Sequence, residues 1–292
     1  MKIQDAIGNT PLIEMQHATT NAKVRVYGKL EGNNPAGSVK DRPAFNMISE
    51  ALKAGKIKKG DTIIEATSGN TGIAIAMCAQ IMGVNAILVM PDSATEERKK
   101  SMRAYGAELI ETPAEKTIEY SRTYAMDLAK EKGYFLLNQF DNDDNWKAHY
   151  KTTGPEIWND TNGEITHFVS AMGTTGTITG VSTYLKEQNT AIQIIGAQPA
   201  EGAKIPGIRR WSPALLPAIF NPDKVDEKRN ITQEAAYQGA RNLAQKEGIM
   251  AGVSAGGAYA LACDLAKELD EGCIVFIVCD RGDRYLSTDL FE

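Results

Sequence analysis

The sequence has few histidines and cysteines and no long apolar segment. Its three histidines are well separated, and its four cysteines include no C-x-x-C pair: Cys78, Cys263, Cys273 and Cys279. Because the ligand spacing of a zinc site is lacking, we expect no metal site. We expect the cysteines to be free thiols, as in a reducing cytoplasm. The longest unbroken apolar runs, 73–79 and 273–279, have seven residues, whereas a membrane-spanning helix needs roughly 20.

The chain also lacks an excess of basic residues. Its formal net charge of -5 argues against a general nucleic-acid-binding protein. The opening MKIQDAIGNTP contains no extended apolar segment, unlike a signal peptide. With 292 residues, 42% of them hydrophobic and 24% charged, we expect a globular cytoplasmic protein, for which the length favours two domains.

Short apolar segments alternate with helical patterns along most of the chain. The predicted strands are 62–66, 85–90, 107–112, 165–172, 191–199 and 273–279, and the segment 134–140 closes the first half of this pattern. The predicted helices are 73–82, 95–105 with Ser93 and Glu96 as a capping box, 114–132, 178–186, a helix from the cap Thr232 to Glu247, and 258–269. This alternation predicts an α/β fold with parallel strands, whose ligands bind beyond the carboxyl ends of the strands.

Two loops at such strand ends are rich in glycine, serine and threonine. GTTGT, formed by Gly173, Thr174, Thr175, Gly176 and Thr177, offers backbone N–H groups, hydroxyls and a helix N-terminus to a phosphate dianion. It matches neither G-x-x-x-x-G-K-[ST] nor G-x-G-x-x-G, and a tight turn without a ligand is the alternative. TSGNT, formed by Thr67, Ser68, Gly69, Asn70 and Thr71, suits a carboxylate, and a capped helix start is its alternative.

A third element, EGNNPAGSVKDRPAF, presents Lys40 just before a helical pattern. Pro43 lacks an N–H group, which is best tolerated in the first helical turn, so we expect the helix to begin no earlier than Asp41. Lys40 would then lie at the positive end of a helix, where protonation is disfavoured and a nucleophilic amine is favoured. A solvated surface lysine is the alternative.

These segments, taken in order, resemble the fold type II pyridoxal-phosphate enzymes, and within them the cysteine synthases (O-acetylserine sulfhydrylases). The similarity is carried by IGNTPL, NPAGSVKDR, EATSGNTG, HYKTTGPEIW, SAMGTTGT, GVSAGG and CDRGDRYLST. IPGIRRW and CDRGDRYLS resemble the B type. The resemblance implies two three-layer αβα domains, 1–145 and 146–292, with about 13–34 pairing into the second domain, and a homodimer.

The resemblance also implies a role for each motif residue. Lys40 would carry pyridoxal phosphate as a Schiff base and act as general base, and Asn70 would bind the ring hydroxyl. Gly173 to Thr177 would hold the phosphate, and Ser254 would meet the pyridine nitrogen, although a helix cap is the plain alternative for this serine. The substrate α-carboxylate would be bound by Thr67, Ser68, Gly69, Thr71 and Gln139.

The implied reaction is β-replacement, in which O-acetyl-L-serine and sulfide give L-cysteine, or thiosulfate gives S-sulfocysteine. Ser254 is too weak an acid to keep the pyridine nitrogen protonated, which favours elimination over transamination or racemisation. In the B type, Arg210 or its neighbour Arg209 would help to admit an anionic sulfur donor. Cys279, at the end of the last predicted strand, would line the pocket. O-Phosphoserine remains an alternative substrate.

Two rival functions remain open from the sequence. A fold type II serine/threonine dehydratase or a cystathionine β-synthase core shares the lysine, the glycine loops and the serine. A cofactor-free binding or regulatory protein on the same scaffold would be expected to have lost Lys40 or the GTTGT loop, and both are present.

Overall fold

The structure is a computed structural model that describes residues 1–212 and 215–292. The chain forms two compact units. The first unit consists of Met1–Ile7 and Lys40–Asn145, and the second consists of Gly8–Val39 and Trp146–Glu292. The chain therefore passes from the second unit into the first between Val39 and Lys40.

Strands and helices alternate through both units. The strands are β1 Leu12–Glu14, β2 Val24–Leu30, β3 Thr62–Ala66, β4 Asn85–Pro91, β5 Glu108–Thr112, β6 Phe135–Leu136, β7 His167–Ala171, β8 Gln193–Pro199, β9 Glu227–Ile231 and β10 Gly272–Val278. The helices are α1 Asp41–Lys53, α2 Asn70–Met82, α3 Glu96–Ala104, α4 Thr117–Lys132, α5 Asp143–Lys151, α6 Thr153–Asp160, α7 Gly176–Gln188, α8 Gln233–Glu247 and α9 Val253–Glu268. None of the helices in the described ranges has the length and apolar composition that a membrane span requires.

The sheet of the first unit is parallel, with the strand order β5-β4-β3-β6. Ile64 and Val89 are buried on the face covered by α4. Leu88 and Met90, which alternate with them, are fully buried on the other face. The crossovers through α2 and α4 run in opposite directions along the sheet, and their right-handedness places the two helices on opposite faces. The unit therefore has three layers.

The sheet of the second unit has the order β1-β2-β10-β7-β8-β9, in which only the β1–β2 pair of the described strands is antiparallel. Successive side chains of the central strand β10 point to opposite faces. Ile274, Phe276 and Val278 pack in one core with α8 and α9. Val275 and Ile277 pack in the other core with α6 and α7. This three-layer arrangement of mostly parallel strands confirms the predicted α/β class.

Several predicted boundaries are wrong at the loops that matter most. α2 begins at Asn70 rather than at residue 73, and α9 begins at Val253 rather than at residue 258. Glycine and short polar residues favour a loop assignment, yet the first helical turn tolerates them because its N–H groups need no partner within the helix. The capping box at Ser93 is also wrong, because α3 has Thr95 as its N-cap, without a side-chain bond.

Candidate active site

The TSGNT loop joins the carboxyl end of β3 to the first turn of α2. Thr67 and Thr71 are buried, whereas Ser68, Gly69 and Asn70 are partly exposed. α2 can pack close to α3 because Gly72 has no side chain; an added Cβ there would lie 2.7 Å from the Met102 Cε atom. The partly exposed residues surround a helix N-terminus, whose positive partial charge favours an anion.

The structure brings two of the predicted carboxylate-binding residues together within the first unit. The Thr71 hydroxyl donates a hydrogen bond of 3.0 Å to Oε1 of Gln139. Nε2 of Gln139 donates to Oε1 of Glu65 at 3.4 Å, and the backbone oxygen of Gln139 accepts from Nδ2 of Asn145 at 2.6 Å. Burial raises the pKa of the Glu65 carboxyl to about 7. A carboxamide held in this way is a fixed donor beside the helix terminus.

Gln139 lies in a turn beyond β6, which ends at Leu136. Asn138 has φ of 53°, a left-handed conformation that asparagine adopts more readily than most residues and that cannot continue a strand. The turn is closed by Nδ2 of Asn142, which donates to the backbone oxygen of Leu137 at 2.9 Å. The left-handed turn at Asn138 therefore directs the Gln139 side chain toward Thr71.

Lys40 is the N-cap residue of α1, and its side chain is partly buried. The Ala44 N–H group makes the first hydrogen bond of the helix, to the Lys40 backbone oxygen at 3.0 Å. Pro43 precedes Ala44 by one position and is the third residue of α1. Its missing N–H group therefore removes no helical hydrogen bond, and the predicted start of the helix at Asp41 is confirmed.

The GTTGT loop lies between the end of β7 and the first turn of α7, within the second unit. Thr175 is the N-cap and adopts the left-handed conformation with φ of 72°. Gly173 fits only without a side chain, because an added Cβ would lie 2.9 Å from the backbone oxygen of Gly207. Gly173 and Thr174 are partly exposed and Thr175, Gly176 and Thr177 are buried, and a loop of this composition at the positive end of α7 suits a phosphate dianion.

Two aromatic side chains, His149 and Trp211, make hydrogen bonds to this loop. The buried His149 ring contacts the Thr177 hydroxyl through Nε2 at 3.3 Å and the Thr153 hydroxyl through Nδ1 at 2.9 Å. Nε1 of Trp211 donates to the backbone oxygen of Gly173 at 2.8 Å. These contacts fix the first and the last residue of GTTGT.

Ser254 is the second residue of α9, because Gly252 is the N-cap. A helix-capping role for Ser254 is therefore excluded. Its side chain is only 5% exposed, and its hydroxyl makes no hydrogen bond to any other residue that the structure describes. A hydroxyl in the first turn of a helix can donate or accept a further hydrogen bond, and a heteroaromatic nitrogen would be a suitable partner.

The two adjacent arginines make different contacts. The exposed Arg210 donates through Nη1 to the backbone oxygen of Pro199 and to Oδ1 of Asn230, both at 3.0 Å. The guanidinium of Arg209 lies 5.4 Å from the centre of the Trp211 ring. Because Trp211 bonds to Gly173, Arg209 is linked to the GTTGT loop, whereas Arg210 is held at the β8 and β9 edge.

Cys279 directly follows β10 and is partly exposed, as expected for a residue beyond the carboxyl end of a strand. Its backbone oxygen accepts a 2.8 Å hydrogen bond from the N–H group of Val39. This bond fixes the residue before Lys40 within the second unit.

Sequence reasoning did not select Glu65, His149 or Trp211. Glu65 had a usable signal, because it is the one acidic residue in the apolar segment TIIEA. His149 and Trp211 lie inside segments that were noted for their family resemblance only, and their contacts depend on tertiary packing.

The chain matches known proteins over nearly its full length. A model of the family "Pyridoxal-phosphate dependent enzyme" matches residues 3–280. The chain is 55% identical to cysteine synthase B of Pseudomonas aeruginosa, covering 99% of this chain and 97% of that protein. It is also 55% identical to cysteine synthase B of Escherichia coli, covering 99% and 95%. A solved cysteine synthase of Entamoeba histolytica superposes with a TM-score of 0.94 at 40% identity, covering 99% of this chain and 90% of that chain.

The resemblance drawn from the motifs is thus confirmed, and the cofactor that it implied is pyridoxal 5'-phosphate. The chain belongs to the family of pyridoxal-phosphate-dependent enzymes and, within it, to the cysteine synthases.

Proposed function

We propose that this enzyme forms L-cysteine from O-acetyl-L-serine and sulfide by replacing the acetate group on the β-carbon. The observation that carries the proposal is the likeness to two bacterial cysteine synthases B over almost their whole length. The positions of the motif residues in each unit support it, because an amine, two anion-binding helix termini and a partner for a ring nitrogen are all present.

The cofactor would be held by the motif residues that the family resemblance assigns to it. Lys40 would bind it covalently as a Schiff base, and Asn70, at the first position of α2, would bind the ring hydroxyl. Gly173, Thr174, Thr175, Gly176 and Thr177 bind the phosphate with the α7 N-terminus. The Ser254 hydroxyl would donate a hydrogen bond to the unprotonated pyridine nitrogen. Bound pyridoxal phosphate supplies an electron sink for negative charge on the substrate α-carbon.

The substrate α-carboxylate is bound at the N-terminus of α2 by Thr67, Ser68, Gly69, Thr71 and Gln139. The bond between Thr71 and Gln139 holds two of these groups in one arrangement before substrate arrives. Such preorganisation lowers the cost of binding and orients the α-carbon for proton transfer.

Lys40 carries the proton. With the substrate held at the site, the free Nζ amine of Lys40 would remove the proton from the α-carbon as acetate leaves the β-carbon. The sulfur nucleophile then adds to the β-carbon, and Lys40 returns the proton to the α-carbon. Ser254 is a hydroxyl and does not keep the ring nitrogen protonated, so departure of the β-substituent, which removes the negative charge directly, is favoured.

An anionic sulfur donor such as thiosulfate would be recognised near Arg209, and the product would then be S-sulfocysteine. Arg209 lies over the Trp211 ring, and Trp211 bonds to Gly173, which favours Arg209 as the residue that binds this anion. Arg210 is instead hydrogen-bonded at the sheet edge. Cys279 lines the pocket as a small partly exposed side chain. We also propose that the enzyme forms a homodimer in the cytoplasm. Light scattering would measure its mass in solution and test the dimer.

Product analysis tests the reaction directly. The purified holoenzyme is incubated with O-acetylserine, with and without sulfide, and then with O-phosphoserine in place of O-acetylserine. We expect cysteine from O-acetylserine and sulfide, and none in the Lys40→Ala variant. Keto acid formed at the same rate with and without sulfide would instead identify a dehydratase, and a purified protein that binds no pyridoxal phosphate would identify a binding protein.

A further inference from the structure

Glu65 is a buried acidic residue whose contacts point to a specific task. It lies next to the carboxyl end of β3 and is 4% exposed. Oε1 accepts the hydrogen bond from Nε2 of Gln139, and Oε2 has no hydrogen-bond partner among the described residues. Burying a carboxyl group with one unsatisfied oxygen costs stability, and the side-chain hydrogen bond to Gln139 is the contact that indicates its role.

The contact with Glu65 determines which way the Gln139 carboxamide faces. The Thr71 hydroxyl donates to Oε1 of Gln139, while Glu65 accepts from Nε2. Exchanging the two ends of the amide would set two acceptors against each other at Glu65, whereas the Thr71 hydroxyl could rotate to accept as readily as it donates. The bond to Glu65 uses one of the two Nε2 hydrogens, and the second is left to donate to a ligand.

The backbone of Gln139 is fixed without Glu65. Its backbone oxygen accepts from Asn145, and the left-handed Asn138 sets the turn that precedes it. Removing the Glu65 carboxyl should therefore act mainly on the side chain of Gln139, because these other contacts hold the turn even though the Gln139 and Asn138 N–H groups also interact with the carboxyl.

We infer that Glu65 is a positioning residue for the substrate, which holds the Gln139 carboxamide so that Nε2 donates to the α-carboxylate of the amino acid. This inference rests on the proposed function, in which Gln139 binds that carboxylate. Glu65 does not touch the substrate and acts through Gln139.

The charge of Glu65 is compatible with an anion that binds close by. Burial raises the pKa of its carboxyl to about 7, and the Gln139 side chain, the backbone N–H groups of Gln139 and Asn138, and the Arg122 guanidinium on α4 oppose this rise. Near neutral pH a proton can occupy Oε2 while Oε1 continues to accept from Gln139. The group can thus orient the amide without placing a full negative charge beside the substrate.

A double-mutant cycle on the holoenzyme tests the inference. The probe is L-serine, which carries the α-amino and α-carboxylate groups, and its dissociation constant is measured by calorimetry. Glu65→Met removes the acceptor at similar volume, Glu65→Gln retains a carbonyl acceptor and is the matched control, and Gln139→Ala removes the carboxamide. Cofactor content and the visible spectrum are recorded for each variant.

We expect Glu65→Met to raise the dissociation constant about fivefold, the equivalent of one hydrogen bond, and Glu65→Gln to remain within about twofold of the wild type. In the Gln139→Ala background Glu65→Met should have no further effect. If Glu65→Met does not fold, Glu65→Asp replaces it, because its carboxyl is one methylene too short to reach Nε2.

The outcomes separate the inference from the function on which it rests. A normal dissociation constant in Gln139→Ala would remove Gln139 from the carboxylate site and end the proposed role of both residues. A weakened Gln139→Ala combined with a normal Glu65→Met, or an effect of Glu65→Met that persists in the Gln139→Ala background, would overturn the inference about Glu65 alone.

Discussion

The phosphate-binding role of the GTTGT loop can be tested by one isosteric substitution. Thr177 lies in the first turn of α7, where its hydroxyl is held by His149 at 3.3 Å. Thr177→Val keeps the branched shape and removes only the hydroxyl. A hydrogen bond to a charged group contributes roughly 1.5–3 kcal/mol, so the dissociation constant of pyridoxal phosphate should rise about tenfold to a hundredfold.

Thr179, two residues further along α7, provides a matched control. It is also buried, at 3% exposure, but its hydroxyl has no hydrogen-bond partner among the residues described. Thr179→Val should therefore leave the cofactor affinity unchanged and raise the free energy of unfolding by about 1 kcal/mol, since an unsatisfied buried hydroxyl is removed.

The assay is reconstitution of the apoenzyme, followed by absorbance as pyridoxal phosphate is added. Urea unfolding of both apoenzymes separates loss of affinity from loss of stability, because Thr177→Val also removes the contact to His149. Wild-type affinity in Thr177→Val, or an equal loss of affinity in both variants, would refute the assignment of the phosphate to this loop.

Three further predictions follow from the geometry of the described residues. Pro43→Ala should lower the free energy of unfolding by at most about 1 kcal/mol, measured in urea, because proline restricts the unfolded chain and breaks no helical bond here; a larger loss would contradict its place in the first turn. Burial raises the pKa of the Glu65 carboxyl to about 7 from an ordinary 4.5, so the folded protein favours the protonated carboxyl. The stability that this group contributes is therefore fully present below pH 4.5 and is lost as the pH rises through 7. Glu65→Gln should therefore gain stability relative to the wild type between pH 5 and pH 8, by on the order of 3 kcal/mol in urea titrations, and parallel pH profiles would contradict this. Arg209→Ala should lower kcat/KM for thiosulfate about tenfold more than for sulfide, whereas Arg210→Ala should change neither in the same kinetic assay; the reverse result would reassign the anion site to Arg210.

The sequence predicted the layers of the fold because apolar periodicity decides them. The strand 62–66 was predicted with the bounds that β3 has, and Thr232 caps α8 by accepting from the N–H group of Ala235 at 3.1 Å, as predicted. The elements α5, α6, β1, β2 and β9 were not predicted, because their short or polar segments carry weak periodicity, as in the solvent-facing edge strand EKRNI of β9.

The site was only partly accessible to sequence reasoning. Helix N-termini at the two glycine loops were expected from composition, and the roles of single residues came from the family resemblance. Whether Ser254 caps a helix depended on where α9 begins, and the glycine-rich GVSAGG could not fix that position. Glu65 and His149 act through hydrogen bonds to residues that are 74 and 28 positions away, which no local pattern records.

The central claim is that Lys40 carries the cofactor, and borohydride reduction tests it most directly. Reduction of the holoenzyme makes the Schiff-base linkage permanent, and peptide mass spectrometry then locates the phosphopyridoxyl group. We expect the group on the peptide that contains Lys40, and its loss from that peptide when O-acetylserine is added before reduction. A phosphopyridoxyl group on another lysine, or none on any peptide of a cofactor-loaded sample, would contradict the account.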